Sequence, residues 1–131
     1  MSYTLDERVD GEFDDVVERT RDALSDAGFG VLCDIDVQET LAEKLNEEFR
    51  KYRILGACNP PLAHQALEEE PQLGALLPCN VVVYETEAGG TRVSAVDPTT
   101  LLSVVDNPEL DAIAGDVREQ FERVLAELSE S

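Results

Sequence analysis

Apolar positions along the chain switch between two periods. From Tyr3 to Val9 they alternate, with Tyr3, Leu5 and Val9 on one side, which predicts a strand. Asp10-Gly11 reads as a turn. From Glu12 to Ala27 the apolar set Phe13, Val16, Val17, Thr20, Leu24 and Ala27 follows a 3.6-residue spacing and predicts a helix. Gly28 suits the left-handed position that closes it. Alternation returns over Phe29–Val37, where Phe29, Val31, Cys33, Ile35 and Val37 share one face and Asp34 and Asp36 the other. On that face Cys33 is expected to be a buried, inert thiol.

Helical spacing resumes over Gln38–Phe49, with Leu41, Leu45 and Phe49 on one stripe. Tyr52–Cys58 reads as a short apolar strand. Asn59-Pro60 marks a helix start, because asparagine caps and proline tolerates the first turn, where its missing N–H has no partner. Leu62, Ala63, Ala66 and Leu67 are the expected buried face of this helix, which ends before Pro71. Leu73–Pro78 is an apolar connector. Cys79–Glu85 and Thr91–Val96 form a hairpin around Gly89-Gly90. Pro98 ends the second hairpin strand, and Thr99–Val105 reads equally as a short helix or a buried loop. Asn107-Pro108 opens a final helix with the stripe Leu110, Ile113, Ala114, Val117, Phe121, Val124, Leu125 and Leu128. The order βαβαβαββα predicts one α+β domain over residues 1–131, a largely antiparallel sheet with helices packed on one face.

Composition changes the picture mainly through charge. The chain has 29 acidic residues against ten basic ones, only two of them lysines (Lys44 and Lys51), and a net charge of −19. The acids are dispersed, which favours a protein of a salt-accumulating cell over an acidic interaction tail. Such a field disfavours nucleic-acid binding through phosphates. No apolar run reaches membrane-spanning length, and no basic, then apolar, leader opens the chain, so a cytoplasmic protein is expected. Cys33, Cys58 and Cys79 form no CxxC pair, and an odd number argues against a disulfide framework.

One region escapes the acid. Phe49–Leu67 has no carboxylate while Arg50, Lys51 and Arg53 supply three of the ten cations, and Pro71–Tyr84 has no charge at all. Ile54–Tyr84 also holds Cys58, Cys79, the only histidine (His64) and four of the six prolines. Cys58 precedes a helix start, where the macrodipole favours a thiolate. Cys58, Cys79 and His64 are the ligand types of a soft metal or haem iron, although their spacing matches no metal motif. The basic cluster and the helix start together offer a site for a small anion. No glycine-rich phosphate loop, GxSxG or HExxH is present.

Tyr52 through Cys58-Asn59-Pro60, then Ala63, Ala66-Leu67, then Leu77-Pro78-Cys79 running into Val81-Val82-Val83-Tyr84, with Pro98 beyond, resemble the domain-of-unknown-function family numbered 302. The resemblance covers roughly Gly28–Pro98 and is densest at the Cys58-Asn59-Pro60 turn and at Leu77-Pro78-Cys79. It implies a small α+β fold and a homodimer, and brings no activity or cofactor with it. The expected ligand site is Cys58, Asn59, Pro60, His64, Pro78 and Cys79, with Arg50, Lys51 and Arg53 near its mouth. Three readings stay open: a non-enzymatic ligand-binding or accessory homodimer, a small metal-, haem- or thiol-dependent redox enzyme using Cys58 or Cys79, and a structural or regulatory dimer without a ligand.

Overall fold

The computed structural model of the protein describes residues 2–130. Strands β1 (Thr4–Val9), β2 (Gly30–Asp36), β3 (Tyr52–Cys58), β4 (Cys79–Glu85) and β5 (Thr91–Val96) form one sheet in the order β1-β5-β4-β3-β2. Every pairing is antiparallel. Helices α1 (Phe13–Asp26) and α5 (Asp111–Glu130) pack on one face. The inward-facing residues of the strands, Leu55, Ala57, Val81, Val83, Val93 and Ala95, meet Val16, Val17 and Leu24 of α1 and Phe121, Val124 and Leu128 of α5. Phe29 stacks on Phe121 with ring centroids 4.9 Å apart. A second, smaller cluster (Ala66, Leu73, Leu102, Leu110, Ala114) joins α3 (Pro60–Glu69) and α4 (Pro98–Ser103) to the start of α5.

The α+β class, the antiparallel sheet and the hairpin follow the periodicity. Thr99–Val105 resolves into α4, with Pro98 inside the helix as its first residue. Asp97 caps it, its carboxylate accepting from the Thr99 amide at 3.0 Å. Short 3₁₀ turns at Pro71–Leu76 and Pro108–Leu110 fill the expected connector and the first turn of the expected last helix.

Three expectations fail locally. Helix α2 (Val37–Leu45) stops at Asn46, which adopts φ +54°, so Phe49 lies beyond it; α2 buries no residue, and Leu45 and Phe49 are exposed. In α3 only Ala66 is fully buried, and Leu67 faces solvent. In β2 the alternation inverts. Val31 pairs with Ala57 but Cys33 pairs with Gly56, so one extra residue bulges between them. Such an insertion shifts every later side chain to the other face. Cys33 is therefore exposed on the outer face and Asp34 turns inward beneath the helices. There its carboxylate accepts from Arg53 Nε (2.7 Å) on β3 and Arg21 Nη1 (2.7 Å) on α1, and the Arg53 bond first, then the charges of Arg53 and Arg21, hold it below the usual carboxylate range against the opposing effect of burial.

Candidate functional site

The Asn59-Pro60 start and the Pro78-Cys79 start lie at the same end of the sheet, because β3 ends where β4 begins and Ala57 pairs with Cys79. A cavity of about 50 Å³ lies between this sheet end, α3, α4 and α5. Cys58, Asn59, Pro78 and Cys79 line it, and Leu62, Ala66, Leu77, Pro98, Leu102 and Val117 complete most of the wall. Asn59 supplies the sole side-chain amide; apart from the two thiols the rest is hydrocarbon. Cys58, Asn59, Leu62, Ala63 and Pro78 are half-buried, so part of the wall reaches solvent, whereas Cys79 is buried. Burial pushes the Cys79 thiol up to about 11, and the neighbouring Cys58 adds to the shift. Cys79 is thus a protonated, apolar group at neutral pH, not a thiolate nucleophile.

The α3 start is spent as an anion site. Pro60 and Pro61 carry no N–H, and the Leu62 amide is taken by Asn59 Oδ1 at 3.4 Å. The Ala63 amide bonds the Asn59 carbonyl at 2.8 Å. No free donor is left in the first turn, so the cradle that a helix N-terminus ordinarily offers is missing. Asn59 completes its bonding by donating from Nδ2 to Gln120 Oε1 of α5 at 3.1 Å.

The other expected site residues lie elsewhere. His64 projects into solvent from α3 and pairs with Glu68 at 2.8 Å, one turn on. Arg53 sits five residues before Cys58 on β3, about 16 Å away along an extended strand, and is committed to Asp34. Arg50 lies still further back, against Glu87 at 3.9 Å and over the Phe49 ring. Lys51 lines a surface groove with Gly11, Asp14 and Glu85. The basic residues therefore do not stand at the cavity mouth, because the chain that links them to Cys58 runs the length of the sheet. Among the described residues, no three His, Cys, Asp or Glu side chains come close enough to hold a metal ion.

Sequence reasoning missed the far wall. Pro98, Leu102, Ile113 and Val117 reach the cavity from elements remote in the chain. Ile113 and Val117 were marked only by apolar helical spacing, which also describes ordinary core, and Pro98 only as a strand end that the family resemblance shares.

The model of the family described as "Domain of unknown function DUF302" matches residues 5–128, and the chain belongs to this family. Its fold is similar to the crystal structure of an uncharacterized conserved DUF302 protein from Bacillus stearothermophilus. The two share 31% identity with a TM-score of 0.91, over 98% of this chain and 99% of that one. None of the curated proteins compared matches the chain. Within the described residues no helix is long and apolar enough to cross a membrane.

Proposed function

We propose that this DUF302 domain is a non-enzymatic binding module that works as a homodimer. Its cavity at Cys58, Asn59, Pro78 and Cys79 takes the end of an apolar chain. The carrying observation is the cavity itself: a gap walled by hydrocarbon and two cysteine sulfurs, at the point where the family resemblance is densest. Its volume is about 50 Å³, a third of the roughly 150 Å³ at which an engineered apolar cavity binds benzene. That suits an ethyl- or isopropyl-sized group and is too small for a ring. Spent amides at the α3 start and distant arginines favour an apolar over an anionic ligand. The acidic, lysine-poor composition supports a high-salt cytoplasm as the setting.

The test is a ¹⁵N chemical-shift titration with straight-chain alkanols from ethanol to hexanol. Saturable shifts confined to Cys58, Ala63, Leu77 and Cys79 are expected, and Ala63→Leu, which fills the cavity from α3, abolishes them. Shifts that never saturate, or that spread evenly over the sheet, would sink the reading.

A further inference from the structure

The second face of the sheet is bare of α1 and α5. Since Leu55, Ala57, Val81, Val83, Val93 and Ala95 point into the core, their neighbours point away from it. The outward positions are Thr4, Asp6 and Arg8 on β1; Arg92, Ser94 and Val96 on β5; Asn80, Val82 and Tyr84 on β4; Tyr52, Ile54 and Gly56 on β3; and, after the bulge, Cys33 and Ile35 on β2. In a chain of net charge −19 this face carries a single acid, Asp6. That acid is neutralised in place, accepting from Ser94 Oγ at 2.6 Å and lying 3.7 Å from Arg92.

The aromatic content is equally uneven. Tyr52 and Tyr84 stack across β3 and β4 with centroids 5.5 Å apart, and Tyr3 lines the same groove. These are all the tyrosines of the chain, which has no tryptophan. Beside them Phe49 packs on Tyr52, and Ile35 stands 44% exposed. Enrichment in tyrosine and arginine with depletion of aspartate, glutamate and lysine is the composition of a protein interface.

We infer that this face is where a second copy of the chain docks, sheet against sheet, about a two-fold axis. The inference rests on the homodimer reading above and assigns its interface. Charge decides the occupant. The remaining surface carries nearly all of the 29 acids, so most other contacts between copies oppose carboxylates, whereas two copies of this face bring together Asp6, Arg8 and Arg92, whose signs are mixed. Size agrees. Five strands about 4.8 Å apart and six residues long at about 3.3 Å each project to roughly 480 Å². Side-chain relief adds to that projection, bringing it toward the ~800 Å² per partner of a stable complex. The closed symmetry of a two-fold pair also gives every tyrosine of the face a counterpart on the same patch.

Sedimentation at 0.15 M and 2 M KCl, with tyrosine emission recorded over the same dilution series, tests this. The chain is expected to sediment at twice its 14.4 kDa mass. Its emission should change in step with dissociation, because no tyrosine lies off the interface. Val82→Glu at the centre of the face should yield a folded monomer, while Val104→Glu, on an exposed residue after α4, should leave the dimer intact. A dimer that dissociates with no change in tyrosine emission, or that survives Val82→Glu, overturns the assigned face and leaves the homodimer standing. A wild-type monomer at every concentration and salt overturns both. Should Val82→Glu fail to fold, the emission series on the unmodified chain decides alone.

Discussion

Two glycine-to-alanine changes should move stability in opposite directions. Gly115 lies on the exposed side of α5, and a Cβ added there meets nothing within 4 Å. Alanine lowers the entropy of the unfolded chain and suits a helix interior, a gain of about 1 kcal/mol. Gly56, in the middle of β3, begins with a similar advantage of roughly 0.5–1 kcal/mol. Its Cβ, however, would stand 2.6 Å from Cys33 Sγ and 2.8 Å from the Pro78 ring. Ordinary carbon contacts are about 3.5–4.0 Å, so both neighbours must retreat by about 1 Å. Cys33 is exposed and can turn aside. Pro78 is held between Leu77, which packs against both core clusters, and Cys79, which opens β4. Overpacking of this kind costs about 1–3 kcal/mol, which outweighs the entropic gain and leaves Gly56→Ala destabilised by roughly 1–2 kcal/mol. Urea unfolding followed by circular dichroism gives the midpoints, with an unchanged slope required for a clean comparison. Adding Cys33→Ala should recover only part of the loss, because the proline contact persists. If Gly56→Ala matches or exceeds the wild type while Gly115→Ala gains as expected, the close approach of Cys33 and Pro78 to β3 is wrong.

Thiol titration of the dilute native protein should label Cys33 first and Cys79 only on unfolding, since burial keeps the latter protonated with a pKa of about 11; rapid labelling of Cys79 would contradict its place in the cavity wall. Asp34 and Asp97 both sit below the ordinary carboxylate range in the fold. At Asp34 the bond from Arg53 is the largest cause. At Asp97 burial pushes the pKa up, but bonds from Thr99 and the Arg118 pair outweigh it. Their contribution is therefore complete above about pH 4, the unfolded aspartate value, and is lost as pH falls through the lower folded values. Melting temperatures of wild type, Asp34→Asn and Asp97→Asn from pH 6 to pH 2 check this, and variants whose acid limb is as steep as that of the wild type would contradict it. Screening of the −19 charge should raise the unfolding midpoint between 0.1 M and 2 M KCl, and a flat or falling midpoint would refute a salt-adapted surface.

Local chemistry was enough to place most elements. The 3.6-residue stripe of α1, the Gly28 stop, the β4–β5 hairpin around Gly89-Gly90 and the Asn59-Pro60 cap all depend on neighbours within a few residues, and each stands where its residues put it. The acid-free stretch Phe49–Leu67 and the uncharged stretch Pro71–Tyr84 contain Cys58, Asn59, Pro78 and Cys79, and these four line one cavity. What the chain alone left undetermined depends on contacts between distant segments. The β2 bulge is one residue of register against β3, and it reverses Cys33 and Asp34 without altering their alternation in the sequence. At the α3 start Pro61 has no N–H to offer, and the Leu62 amide is taken by the side chain of Asn59, which also donates to Gln120, 61 residues away. The separation of Arg50, Lys51 and Arg53 from the cavity is the length of a strand, invisible while spacing is counted in residues. Periodicity reports which side of an element is apolar; only the packed sheet decides which apolar side is buried and which, like the tyrosine face, is left open.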